Sequence, residues 1–289
     1  MNVCEFLNAH YWPEHALTLK RASLDQLRWA VITFDRWLTR PSVVETDFDR
    51  LRLLTYLAAR QQKVSPATVN KDRRSLLCLW RHAAELGMVA PPPKIPKAKC
   101  PQAVPHTFTH DELHRLLLAT NEMHDRIWWR SLLLALLDTA ARVSAMLAAK
   151  VEDVSFSNAT IHLRPEHSKT MQGHLCAVSK TDTLPALAAQ CLGREPSDLV
   201  WPWPRKTKRR LFTHFRELCE KAGVKLPRFK AFHSLRRTTA TNVASDPQLG
   251  LLQASRLLQH SSIAVTSRYI DFDRVQASAV RICDRLPRP

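Results

Sequence analysis

In the C-terminal half of this chain, "AFHSLRRTTAT" sets His233 and Arg236 three residues apart, so a helix would present an imidazole and a guanidinium on one face. Further on, "LLQHSSIAVTSRYI" at residues 257–270 holds His260 and, nine residues later, Tyr269, one of three tyrosines in the chain. On an unbroken helix, nine steps of roughly 100° would put those two side chains on opposite faces, about 13 Å apart along the axis. They can share a site only if the chain breaks between them, and Ser261 and Ser262 are good N-cap residues for such a break. Arg142 follows an apolar helix in "DTAARVSAMLAAKVEDV", where an arginine either snorkels from the core or is aimed into a site. Lys169 lies near a turn in "EHSKTMQGH", an ordinarily exposed position. Singly, each group also has a plain structural role: a surface helix for the His–Arg pair, a helix-dipole cap for His260, a core aromatic with a wet hydroxyl for Tyr269.

Taken together, their order and spacing resemble the active-site set of the tyrosine recombinases, the phage integrase family. "TAARVSAMLAAKVEDV" looks like that family's Thr-Gly-x-Arg-x-x-Glu-Leu box, "HSLRRTTAT" like its His-x-x-Arg box, and "LLQHSSIAVTSRYI" like the Leu-Gly-His-Ser-Ser segment that ends on the nucleophilic tyrosine. The resemblance covers nearly the whole chain from about residue 20. It implies a DNA-cleaving transesterase in which Tyr269 attacks a phosphodiester, leaving a 3′-phosphotyrosyl link and a free 5′-hydroxyl. A neutral phenol is a poor nucleophile and needs a proton acceptor, a position the resemblance gives to His233. Arg142 and Arg236 would present forked donors to the charge growing on the phosphate oxygens. Lys169 would protonate the leaving oxygen, and His260 would position the phosphate. No metal is required by this scheme, and no metal-ligand spacing or GxxxxGK loop occurs in the sequence. We therefore expect no cofactor.

The match departs from the family pattern in three places. Ala140 stands for the glycine before the first arginine, Ala145 for the glutamate three residues after it, and Gln259 for the glycine before the second histidine. The first asks for a backbone conformation that alanine tolerates, and the second removes a carboxylate. Two other readings use the same residues: a type IB topoisomerase, and a non-catalytic DNA-binding protein on the same fold.

The elements that must position these groups are legible in outline. "APPPKIPKAKCPQAVPH" at 90–106 carries six of the 18 prolines and reads as an extended basic linker. It divides residues 1–90, a helical domain resembling the family's SAM-like core-binding domain, from residues 107–289, a catalytic domain of mixed α/β type; the linker itself is placed at 91–106. The fold class expected is mostly α with a small antiparallel sheet. Leu24, Leu27, Val31, Phe34 and Leu38 form one apolar stripe. A second helix is expected from Thr46, with Asp49 completing a capping-box-like pattern. A third has Ser65 as N-cap, Pro66 in its first turn and Gly87 past its end. Thr109 and Glu112 suggest another capping box, followed by helices to about 119 and over 125–138. "ATIHLRP" and "HLCAVSK" read as a β-hairpin, and helical patterns return from about 206. The segment after Tyr269, "DFDRVQASAVRICDRL", would by resemblance be a helix packing on a neighbouring protomer.

Composition points the same way. Forty-three Lys and Arg against 26 Asp and Glu give a net charge of +17, which suggests a polyanionic partner, nucleic acid being the commonest and an anionic membrane surface the rival; the resemblance makes that partner double-stranded DNA. The charge is densest between Arg205 and Arg237, twelve basic residues against Glu217 and Glu220. Candidate DNA contacts are Lys71, Arg73 and Arg74 in the third helix and Arg205, Lys206, Lys208 and Arg209 in the basic run. Seven scattered cysteines without a CxxC pair argue against a disulfide framework or zinc site. The longest apolar run, Leu132–Leu137, is too short to span a bilayer, and no secretory signal opens the chain. We expect a cytoplasmic, nucleoid-associated protein, monomeric when free and, by resemblance, a homotetramer when assembled on DNA, with no arm-type domain before residue 20.

Overall fold

The computed structural model describes residues 1–101, 104–167, 173–203, 208–227, 231–246, 248–260, 262–272 and 275, with only the backbone of 208 and 209. The chain divides into two compact units, Met1–Gln102 and Ala103–Pro289.

In the first unit, a short helical stretch with a π turn over Leu7–Tyr11 leads into α1 (Arg21–Leu38), α2 (Arg50–Gln61) and α3 (Pro66–Glu85). The stripe predicted on α1 is buried at Leu24, Leu27, Val31 and Phe34 and meets Tyr56, Leu76 and Trp80 in one core. Ser65 caps α3 by accepting from the Thr68 N–H, with Pro66 in the first turn where its missing N–H costs nothing. The second helix begins later than Thr46. Asp49 is itself the N-cap, accepting from the Arg52 N–H at 2.9 Å, and Thr46 falls in a separate single turn, Val44–Asp47. The described part of the proline-rich stretch is neither helix nor strand, and its beginning belongs to this unit. Ile95 is 1% exposed in the core; Asn70 brackets Ala98 with bonds of 2.8 and 2.9 Å, and the Trp80 indole donates to the Ala90 carbonyl.

The second unit is built around α5 (Arg126–Thr139), which follows α4 (His110–Ala119) and is apolar on nearly every side. The capping box of Thr109 and Glu112 is present at the start of α4. Three short strands, β1 (Val154–Ser155), β2 (Thr160–Leu163) and β3 (His174–Ala177), form an antiparallel sheet in sequence order, with Ile161 opposite Cys176 and Leu163 opposite His174. After the sheet come α6 (Thr183–Cys191), which the alternating pattern did not reveal, then α7 (Lys208–Lys221), α8 (Phe232–Ser245) and α9 (Gly250–Leu257). The main core joins Phe108, Leu132, Leu136, Ile161, Trp201, Phe215 and Leu235. A second cluster, Ala140, Ala240, Ala254, Leu258 and Ile270, lies where α5 ends and α8 and α9 meet. The fold is mostly helical with a small sheet, as expected. Among the described residues no helix is long and apolar enough to cross a membrane.

Candidate active site

Two helix ends create the centre of the site, and both end on non-glycine residues in the left-handed region. α5 stops at Ala140, with φ +49°. α9 stops at Leu258 and is closed by Gln259 at φ +52°, whose N–H donates to the Arg256 carbonyl while the His260 N–H donates to the Ser255 carbonyl. This is the Schellman arrangement, which usually places glycine at the left-handed position. It ends α9 just before His260; between His260 and Tyr269 the chain is extended at Ser262 (φ −153°, ψ 152°), an N-cap position read from the sequence. Ser262 stands at the start of the next turn, Ile263–Thr266, but its side chain makes no capping bond, and Ser261 lies outside the described residues. The chain then enters a 3₁₀ turn over Ser267–Tyr269.

Arg236 fills the space between the two ends. It is only 4% exposed, and its two terminal nitrogens donate to the last carbonyls of both helices, Ala140 O and, at 2.6 Å, Leu258 O. Those carbonyls carry the negative ends of two helix dipoles, the natural seat for a cation. The Nε–H is buried without a partner among the described residues. Burial, reinforced by the nearby charge of Arg142, pulls Arg236 down to about 10, so it stays protonated at neutral pH.

Around this guanidinium stand four of the other five residues singled out from sequence. The Tyr269 ring lies 4.9 Å from the His233 ring, 4.6 Å from the His260 ring and 5.8 Å from the Arg236 Cζ, measured to centroids. Arg142, in an extended position just before the turn Val143–Met146, lines a cavity of about 30 Å³ with Arg236, Ala145, His167, His174 and Gln259. Among the described residues no carboxylate forms an ion pair with Arg142 or Arg236. Burial and the charges of Arg236 and Arg142 push the His260 imidazole down to about 4, so it is neutral at pH 7. Its Nδ1 lies 3.0 Å from Thr266 Oγ1, whose hydroxyl donates to the Ser262 carbonyl at 3.5 Å. The other ring nitrogen, Nε2, is buried and without a partner among the described residues. The sixth predicted residue, Lys169, lies outside the described residues, as does most of the segment after Tyr269.

The family model of the phage integrases matches residues 106–274. The chain belongs to the phage integrase family. No curated protein sequence matches it. Among solved structures, the Tn1549 transposon integrase in complex with a circular intermediate DNA is 16% identical, with a TM-score of 0.76 over 99% of this chain and 100% of that one. A lambda integrase tetramer bound to a Holliday junction is 18% identical, with a TM-score of 0.73 over 94% of this chain and 78% of that one. XerA recombinase is 18% identical, with a TM-score of 0.52 over 99% and 100%. At these identities the likeness is one of fold, and the integrase fold spans both units.

Some groups at this integrase site escaped the sequence reading. Arg237 places its Cζ 5.9 Å from the Tyr269 centroid, with its Nε buried and unpartnered among the described residues. His174 was legible in principle. Strand alternation puts it on the same face as the buried Cys176, and burial together with the charge of Arg236 lowers its pKa. Of the expected DNA contacts, Lys71 and Arg74 are exposed on α3, where the three-residue spacing sets them on one face. Arg73 is different: its Nε donates to the Ile95 carbonyl at 3.0 Å and a terminal nitrogen bonds the same oxygen, so its guanidinium braces the proline-rich segment. Arg205 and Lys206 lie outside the described residues, and the side chains of Lys208 and Arg209 are likewise not described.

Proposed function

We propose that this integrase-family chain is a site-specific DNA recombinase that cuts and rejoins DNA through a 3′-phosphotyrosyl intermediate, in DNA integration, excision or transposition. The observation that carries this reading is the gathering of two imidazoles and two guanidiniums around one tyrosine ring. In the proposed step, Tyr269 Oη attacks the scissile phosphorus and the phenolic proton passes to His233. The P–Oη bond forms as the P–O5′ bond breaks, and the departing 5′-oxygen takes its proton from Lys169. Arg142 and Arg236 hold the non-bridging oxygens, and the dry setting of Arg236 makes each donor worth more than it would be in water. The absence of a paired carboxylate among the described residues supports this: the two arginines have an anion still to bind. His260 adjoins the same phosphate. Since the phosphotyrosyl bond keeps the energy of the ester it replaced, attack by a 5′-hydroxyl reverses the step without ATP. The net charge of +17 supports duplex DNA as partner. We further propose a monomer in free solution, a homotetramer on two duplexes, and action at the nucleoid.

The test is trapping on nicked duplexes drawn from sequences flanking the gene, where loss of a short 5′-hydroxyl fragment prevents rejoining. A denaturant-resistant protein–DNA adduct is expected from the wild type and none from Tyr269→Phe, with DNA affinity kept within about threefold because the phenol hydroxyl is a small part of a backbone-dominated interface. Adducts from the Phe variant would assign the nucleophile elsewhere. Salt-sensitive binding with no adduct from either protein would favour the non-catalytic reading.

A further inference from the structure

The chain turns inward directly after Tyr269. Ile270 is 1% exposed and packs into the cluster of Ala140, Ala240, Ala254 and Leu258. Asp271, the next residue, is 9% exposed. Burying a carboxylate is costly unless it is hydrogen-bonded, and Asp271 is held through both its side chain and its backbone. Thr107 Oγ1 donates to Asp271 Oδ2 at 3.1 Å, and the Asp271 N–H donates to Thr241 Oγ1 at 3.1 Å. Thr107 is itself fixed, since the adjoining Phe108 is fully buried and its N–H donates to Thr238 Oγ1 at 2.8 Å. Thr238 and Thr241 both lie on α8, the helix that carries His233 and Arg236.

Resting on the reading of Tyr269 as nucleophile, we infer that Asp271 and Thr107 are positioning residues, a latch that holds the tyrosine segment against α8 before DNA arrives. The segment has one anchor upstream of the ring, His260 on Thr266, and one downstream, Asp271 on Thr107 and Thr241. The downstream anchor joins the nucleophile to the helix bearing the proposed phosphate and proton partners, so their separations are set by one rigid element. A displacement of the reacting atom by about 1 Å is enough to cost on the order of a hundredfold in rate. Asp271 grips two elements at once, accepting from Thr107 through Oδ2 and donating to Thr241 through its backbone N–H.

The experiment uses the full chain with Thr107→Val, which keeps the shape and removes the donor, Thr107→Ser, which restores the donor, and Asp271→Ala. Hydrogen exchange of the free protein is the first readout. Amides of 268–271 should exchange about tenfold faster or more in the Val and Ala variants, while those of α8 stay protected. Single-turnover cleavage of the trapping duplex is the second. Its rate should fall about tenfold or more in Thr107→Val, with the DNA dissociation constant unchanged, and recover in Thr107→Ser. Unaltered exchange, or loss of binding in step with cleavage, would overturn the latch. If the wild type forms no adduct, the recombinase reading fails while the exchange measurement still decides whether the latch exists.

Discussion

Each unit of this molecule buries a charge, and the two are compensated in opposite ways. In the first, the side chain of Asp47 is wholly enclosed. Arg40 grips both of its oxygens, at 2.7 and 2.8 Å, Arg52 bonds one of them, and the Val43 N–H donates at 2.7 Å. Burial alone would raise its pKa, but these bonds bring it down to about 2. In the second unit Arg236 is nearly as deep, yet its terminal nitrogens donate to two carbonyls, its Nε–H has no partner among the described residues, and Arg142 is close by. A buried charge with its counter-charges in place is a closed piece of architecture. One with dipoles and a like charge for neighbours is unfinished until an anion enters, and that is where the binding of phosphate is to be sought.

This contrast breaks down if the two sites respond alike to mutation. Arg236→Lys should lower cleavage by about a hundredfold or more, since an ammonium cannot reach both helix ends and the phosphate with a planar fork. Rapid-quench cleavage on the trapping duplex measures this, and the folded structure should persist by circular dichroism. Asp47→Ala should do the reverse. It strips the bonds from two arginines and a backbone N–H and should cost about 3 kcal/mol in denaturant unfolding, with cleavage per folded molecule preserved. The same carboxylate gives a pH signature. Its stabilisation is present above the unfolded value of 3.8 and disappears as the pH falls through about 2.

A finer test concerns His260. Its unfolded pKa of 6.5 exceeds its native value of about 4, so the unfolded chain takes up a proton first and stability declines as the pH falls from 6.5 towards 4. His260→Asn should flatten that part of a melting-temperature profile and leave the Asp47 limb intact. A smaller effect is expected at Gln259. Replacing it with glycine relieves a left-handed residue and should raise stability by about 1 kcal/mol, read by chemical denaturation. Ala140→Gly should gain less, because the methyl it removes is fully buried.

Much of the architecture could be read from local patterns. Ser65 with Pro66, Thr109 with Glu112, and the stripe from Leu24 to Phe34 announced their helices because caps and periodicity act within a turn or two. α6 was missed because its apolar composition shows no contrasting polar face. Arg73 looked like its neighbours Lys71 and Arg74, since nothing local tells that its guanidinium is spent on Ile95. His174, Arg237 and Asp271 escaped because their partners, Arg236, Tyr269 and Thr107, lie in elements distant in sequence.

The sequence by itself determined which chemical groups the chain carries, their order, the helices that hold them and the excess of positive charge. It also established the need for a break between His260 and Tyr269, because helical geometry forbids their meeting otherwise. Only the tertiary structure decided that α9 closes at Gln259, that the chain is extended at Ser262 and that Arg236 is held between two helix ends. It alone tied Asp271 back to Thr107 across most of the second unit. The physical reason is range: propensity and capping are properties of neighbouring residues, whereas burial and the compensation of a charge depend on what distant parts of the chain bring to the same place.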